Sequence, residues 1–131
     1  MRHYILIAIA FFLLVAAAQA LPPIIIYNYT PPAPTIALVS ITPTDHQQFS
    51  PSPPSVAVSF SQMIDPGRSD LRVFDPYNST TGDAKQMSKD TGMTVALPAN
   101  LLSGTYRIEW SATCTCQGNP AISGTSYFTV Y

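Results

Sequence analysis

The clearest structural signal in the sequence is the stretch Gly104-Thr105-Tyr106-Arg107-Ile108-Glu109-Trp110. Large apolar side chains at positions 106, 108 and 110 alternate with charged side chains at positions 107 and 109. Successive residues of a β-strand point to opposite faces of a sheet, so this period of two predicts a strand with one face in a core and the other in water. Tyr106 and Trp110 are therefore predicted core residues.

Other short strands are predicted on both sides of this one. Val56, Val58 and Phe60 share one face of a second alternating run. The predicted strands are residues 35–41, 55–60, 70–75, 93–97, 104–110 and 126–131. Turns rich in Pro, Gly and Asn separate them, and no stretch keeps the period of a helix. The pattern predicts an all-β fold, a Greek-key β-sandwich of about seven strands with an Ig-like or cupredoxin-like architecture.

Composition limits the size and the partners of the protein. The chain has 131 residues, 47% hydrophobic and 10% charged, which is the length of a single domain. Six Lys and Arg against seven Asp and Glu give a net charge of −1. Nucleic acid and anionic membranes attract strongly basic proteins, so we expect neither as a partner.

The start of the sequence has the pattern of an export signal. A basic Met1-Arg2-His3 precedes an apolar run, and Ala18-Gln19-Ala20 matches the small-x-small rule for cleavage. The expected segments are a signal peptide at residues 1–20, a Pro-rich leader at residues 21–34 and the β-sandwich domain at residues 35–131.

An uncleaved N-terminal anchor is the alternative for this segment. Pro22-Pro23 interrupts the apolar run before it reaches the ~20 residues of a membrane-spanning helix, which favours cleavage. We therefore expect a secreted protein, periplasmic or extracellular, that is not inserted in a membrane once the signal is removed.

Three blocks of the sequence stand in an order typical of one family. They are residues 38–43 with the strand at 56–61, the stretch LPANLLSGTYRIEW at 97–110, and GNPAISG at 118–124 followed by FTV at 128–130. Together, over about residues 36–131, they resemble the CopC-like copper-resistance domain, a secreted β-sandwich. The nearest competitor is the Ig-like module of bacterial surface proteins, which shares Met63-Ile64-Asp65-Pro66 but not the G-x-P-x-x-G ending.

The resemblance implies Cu(II) ligands that this sequence lacks. In the family they are a histidine at the mature N-terminus and the Asp and His of a D-G-H-P motif. Here those positions hold Leu21, Gln117 and Asn119. A neutral amide is a poor donor for Cu(II) beside an imidazole. Without the signal peptide, His46 is the only histidine left, so we expect an altered site.

Two cysteines precede the altered motif. Cys114 and Cys116 form a C-x-C pair that can offer two thiolates to one ion, and soft sulfur ligands favour Cu(I) or Zn over Cu(II). His46 and Met93 are the candidate third ligands, and Met63 and Met87 are further thioethers. A disulfide and free or intermolecular thiols remain open alternatives, although cysteines two apart in an extended strand lie nearly 7 Å apart.

These observations lead to two functional hypotheses and exclude a third class. The sequence has no nucleophile elbow, no zinc-protease motif and no phosphate-binding loop, so we do not expect an enzyme. The first hypothesis is a secreted copper-homeostasis protein that captures copper, Cu(I) rather than Cu(II), and transfers it to a membrane copper transporter or another periplasmic protein. The alternative is a non-metal extracellular Ig-like module for adhesion or assembly.

Overall fold

A computed structural model describes Pro23 and residues 32–131 of the chain. The predicted signal peptide and most of the predicted leader lie outside the described residues, so both remain predictions. Within the described part of the chain, no helix is long and apolar enough to cross a membrane.

Two sheets form the described domain, which confirms the predicted all-β sandwich. The strands are β1 Leu38–Thr42, β2 Gln47–Phe49, β3 Ser55–Phe60, β4 Asp70–Phe74, β5 Thr80–Thr81, β6 Gln86–Ser88, β7 Gly92–Ala96, β8 Gly104–Thr113 and β9 Ala121–Val130. One sheet has the strand order β1-β3-β7-β6 and the other the order β2-β9-β8-β4-β5. Between β3 and β4 lies a 3₁₀ turn, Pro66–Arg68.

The hairpin of β8 and β9 is the longest pairing and is longer than predicted. The two strands pair antiparallel from Gly104↔Val130 to Thr113↔Ala121. The predicted strands stopped at residue 110 and started at residue 126, because the small polar residues between carry no clear alternation. Pairing with each other satisfies the backbone groups of these residues. The loop that holds both cysteines is therefore the connection of this hairpin.

Three short strands were not predicted. β2, β5 and β6 have three, two and three residues, which is too short for a period of two to be visible. β2 runs parallel to β9, with Gln47 opposite Phe128, although the two strands are far apart in the sequence. A pairing between such distant segments depends on the tertiary structure, so a local sequence pattern does not predict it.

The predicted core residues lie between the sheets. Tyr106 and Phe128 stack with ring centroids 5.1 Å apart, and the Tyr106 hydroxyl donates a hydrogen bond to Leu102 O at 2.8 Å. Val56 in β3 and Ile108 in β8 belong to the same core cluster as Tyr106 and Phe128, and each is 0% exposed. Burial of each such side chain contributes about 1.5–3 kcal/mol.

Gly124 leaves room for the largest aromatic side chain. The Trp110 ring lies against the backbone of Gly124, its cross-strand partner, and a Cβ at position 124 would overlap the ring. Trp110 also packs on Phe60 of the other sheet, with centroids 5.6 Å apart. A glycine at this position therefore lets β8 carry a tryptophan at the end of the core nearest the cysteine loop.

Candidate metal centre at the β8–β9 loop

The cysteine loop is held against the segment that follows β3. Cys114 forms an isolated antiparallel bridge with Ile64, Thr115 N donates to Met63 O at 3.0 Å, and Asp65 N donates to Thr113 O at 2.8 Å. The other side of the loop closes on itself, since Cys114 N donates to Pro120 O at 2.8 Å. The loop is therefore fixed on both sides by backbone hydrogen bonds.

The structure joins Cys114 and Cys116 in a disulfide, one of the three alternatives left open by the sequence. Their Cα atoms are 5.1 Å apart, closer than the nearly 7 Å of an extended strand, because regular pairing ends at Thr113 and the chain bends. A turn follows, in which Asn119 N donates to Cys116 O at 3.0 Å. Within the described residues, no cysteine is free.

Asp65 is the carboxylate next to this loop, and its oxygens already have partners. Oδ1 accepts a hydrogen bond from Gly67 N at 2.9 Å, and Oδ2 lies 2.8 Å from Arg68 Nε. The hydrogen bond from Arg68 is the main reason that the pKa of Asp65 is lowered. The residues that the structure describes contain no group of three or more His, Cys, Asp or Glu placed to hold a metal ion.

His46 lies at the far end of β9 from the cysteines. Its N donates to Tyr127 O at 2.7 Å, its Nε2 is 3.2 Å from Asp45 Oδ2, and its side chain is 80% exposed. The cysteine loop meets β9 at Ala121, so the two places are roughly 20 Å apart at about 3.3 Å per residue. The structure does not bring His46 to the cysteines.

The three methionines in the described part of the chain differ in exposure: Met93 is buried, Met87 is half-buried and Met63 is exposed. Met93 is 0% exposed and lies opposite Met87 and Val58 in the first sheet, where it fills the core. Met63 is 55% exposed, and its carbonyl is bound by Thr115 of the cysteine loop. Of the thioethers considered from the sequence, Met63 is therefore the one on the segment bound to the loop.

Comparison with known proteins identifies the family. A family model described as the CopC domain matches residues 38–131. The chain belongs to the CopC domain family. No curated protein matches the chain.

Solved structures of CopC proteins share the fold. CopC from Methylosinus trichosporium OB3b has a TM-score of 0.62 at 21% identity, over 72% of this chain and 92% of that one. PcoC from Escherichia coli, described as a methionine-rich copper resistance protein, has a TM-score of 0.61 at 20% identity, over 75% of this chain and all of that one. At these identities the likeness extends to the fold alone.

The CopC loop of this chain carries neutral side chains where the resemblance leads one to expect the family's ligands. Gln117 and Asn119 are exposed, and Gly118 and Asn119 have positive φ angles of 82° and 44°. Glycine and asparagine are the residues that adopt this left-handed conformation most readily, so both fit the tight turn. Neither amide is a strong donor for Cu(II).

A polar groove lies elsewhere on this CopC domain. Its volume is about 340 Å³, and it is on the outer face of β4, β8 and β9, away from the core side on which Cys114 lies. The groove is lined by Asp70, Arg72, Glu109, Ser111, Ser123 and Thr125, together with Trp110 and Gly124. Arg72 pairs with Asp70, Nε to Oδ2, at 2.6 Å, so these two charges balance each other.

Proposed function

We propose that this protein is an exported copper-binding protein of the CopC type that captures copper reversibly and passes it to a partner. The observation that carries the proposal is the position of Cys114 and Cys116, in the β8–β9 loop of a CopC domain. Copper is the cargo rather than a resident cofactor, and we propose no catalysis. The receiving partner is a membrane copper transporter or another periplasmic protein, and the protein acts in the periplasm or outside the cell.

The residues present fit Cu(I) better than Cu(II). Gln117 and Asn119 offer neutral amide groups, whereas Cys114 and Cys116 offer sulfur, which selects Cu(I). The two sulfur atoms are bonded to each other, so after reduction two thiolates from one loop are close enough to share an ion. The proposal therefore applies to the reduced form of the loop.

Met63 is the third ligand that we propose, in place of His46 and Met93. It is exposed, and its main chain is hydrogen-bonded to Thr115 between the two cysteines. Met93 lies opposite Val58 and Met87 within the first sheet, and His46 is about 20 Å from the loop by strand rise. The Ile64–Cys114 bridge places Met63 on the face opposite Cys114, so the Met63 side chain has to bend around the loop to complete a set of three sulfur donors suited to Cu(I).

Copper content after equilibrium dialysis tests the proposal. The purified protein is prepared with the disulfide reduced or intact, then dialysed without oxygen against weakly chelated Cu(I), and separately against Cu(II). We expect one Cu(I) per reduced chain and none per oxidised chain, and the control variant His46→Ala should bind as the wild type does. Equal copper in the two redox forms, or none with either ion, would contradict a site made of these sulfur atoms.

The alternative function is an adhesion or assembly module without metal. The polar groove on the outer face supports it, because a concave surface with hydroxyl, carboxylate and guanidinium groups can orient a ligand by hydrogen bonds. The neutral Gln117 and Asn119 in the loop support it too. Absence of copper from the reduced protein after dialysis would favour this alternative.

A further inference from the structure

The two cysteines of the disulfide differ in their exposure to solvent. Cys114 is 0% exposed and belongs to the core, whereas Cys116 is half-buried and packs at the edge of that core. A thiolate must reach a disulfide sulfur to react with it. We propose that this disulfide is a site of thiol–disulfide exchange, in which Cys116 is the attacked sulfur and Cys114 the leaving group.

The main chain favours Cys114 as the leaving thiolate. Cys116 N donates a hydrogen bond to Cys114 Sγ at 3.0 Å. A hydrogen bond to a sulfur atom strengthens when that atom becomes charged, and a stabilised thiolate leaves faster. Burial opposes the charge on Cys114, and the N–H group offsets part of that cost. Residues 114–120 contain no acidic side chain to repel an incoming thiolate.

Backbone hydrogen bonds hold the loop in place independently of the disulfide. Cys114 N to Pro120 O, Thr115 N to Met63 O and Asn119 N to Cys116 O are all backbone hydrogen bonds, and none of them involves a sulfur atom. The Ile64–Cys114 bridge is also a backbone contact. Reduction therefore frees two thiols without removing these hydrogen bonds, so exchange takes place in the folded protein.

The reaction takes two steps with a dithiol or two monothiols as the reductant. An external thiolate attacks Cys116 Sγ, a new S–S bond forms to Cys116, and the bond to Cys114 breaks to release the Cys114 thiolate. A second thiolate, from the same dithiol or from a second monothiol, then attacks the reductant's sulfur atom in the mixed disulfide. The Cys116 thiolate is the leaving group. The loop gains two electrons and two protons, and the reductant leaves as a disulfide.

Mixed-disulfide trapping tests this assignment without copper. The variants Cys114→Ala and Cys116→Ala each retain one thiol and are treated with glutathione disulfide, first folded and then in denaturant. In the folded state we expect the thiol of Cys116 to form the glutathione adduct about tenfold faster than that of Cys114, because access limits the reaction. The two rates should be similar in denaturant.

The wild-type disulfide provides the second measurement. Treated with reduced glutathione in the folded state, it should give a mixed disulfide that fragmentation mass spectrometry locates on Cys116. Equal rates in the folded variants, an adduct on Cys114, or reduction only in denaturant would overturn the proposal. Because no metal is present, each of these failures is distinct from a failure to bind copper.

Discussion

The carbonyl oxygen of Met63 accepts two hydrogen bonds from Thr115, from the main-chain N at 3.0 Å and from Oγ1 at 3.4 Å. Thr115 stands between the two cysteines, so these bonds hold the methionine segment against the disulfide loop. Met63 keeps an exposed thioether at this position. The contact joins two parts of the sequence that are widely separated, and it is the reason that we group Met63 with the cysteines.

Met63→Leu should weaken Cu(I) binding by the reduced protein. Leucine keeps the approximate size of the side chain but removes the thioether. We expect a loss of about tenfold or more in affinity, which corresponds to about 1.4 kcal/mol. A competition titration against a Cu(I) chelator measures it, with Met87→Leu as the matched control. An unchanged affinity in Met63→Leu would exclude Met63 from the site.

Met93→Ala should lower the free energy of unfolding and leave copper binding by the folded protein intact. Met93 is 0% exposed, and truncation of such a side chain leaves a cavity that costs about 2–5 kcal/mol. Met63→Ala, at an exposed position, should change the free energy of unfolding by about 0.5 kcal/mol or less. Urea unfolding compares the two, and a small effect at position 93 would contradict its place in the core.

Gly124→Ala should destabilise the domain through Trp110. The new Cβ would overlap the Trp110 ring, which has the core of the sandwich on its other side. Overpacking of this kind costs about 1–3 kcal/mol. Ser123→Ala, on the exposed face of the same strand, is the control for strand propensity. If Gly124→Ala melts at the same temperature as the wild type, the Trp110 ring can move aside for the new Cβ, which would contradict this prediction.

Asp45→Asn should make the stability of the domain less dependent on pH. Asp45 Oδ1 accepts hydrogen bonds from Tyr127 N at 2.9 Å and Ser126 Oγ at 3.1 Å, and the Tyr127 bond is the first cause of its lowered pKa. The folded pKa lies below the usual value of 3.8, so the ionised carboxylate stabilises the folded state above that value. This contribution is lost as the pH falls through the folded pKa.

Urea unfolding of both proteins at a series of pH values checks this sign. The wild type should be more stable than Asp45→Asn at neutral pH, and the difference should shrink as Asp45 becomes protonated. A difference that is constant across the acid range would show that the ionised form is not the one that the turn binds.

The fold could be predicted from the sequence because residues 55–60 and 104–110 alternate strongly. Residues 104–110 place Arg107 and Glu109 on the outer face and bury Tyr106 and Trp110 on the other, as predicted. β2 could not be predicted, since its three residues pair with β9 in parallel and no local signal marks a pairing between distant segments. The last residues of β8 and the first residues of β9 were not predicted for a similar reason. They pair with each other, although their own sequence does not alternate as a strand does.

The candidate site could be predicted only in part. The C-x-C spacing indicates the loop, but it does not reveal the bend after Thr113 or the backbone contact of the loop with residues 63–65. That contact is also what distinguishes Met63 from Met93, and it is invisible in the sequence. The alternation in β7 would have assigned Met93 to the core, since it shares a face with Val95.

Competition for Cu(I) between the reduced protein and a chromogenic chelator tests the central claim most directly. The wild type is compared with the double variant Cys114→Ser/Cys116→Ser, whose fold is checked by circular dichroism, and with His46→Ala. We expect the wild type and His46→Ala to withdraw one equivalent of Cu(I) from the chelator, and the double variant to withdraw none. Equal withdrawal by the double variant and the wild type would contradict a copper site at the β8–β9 loop.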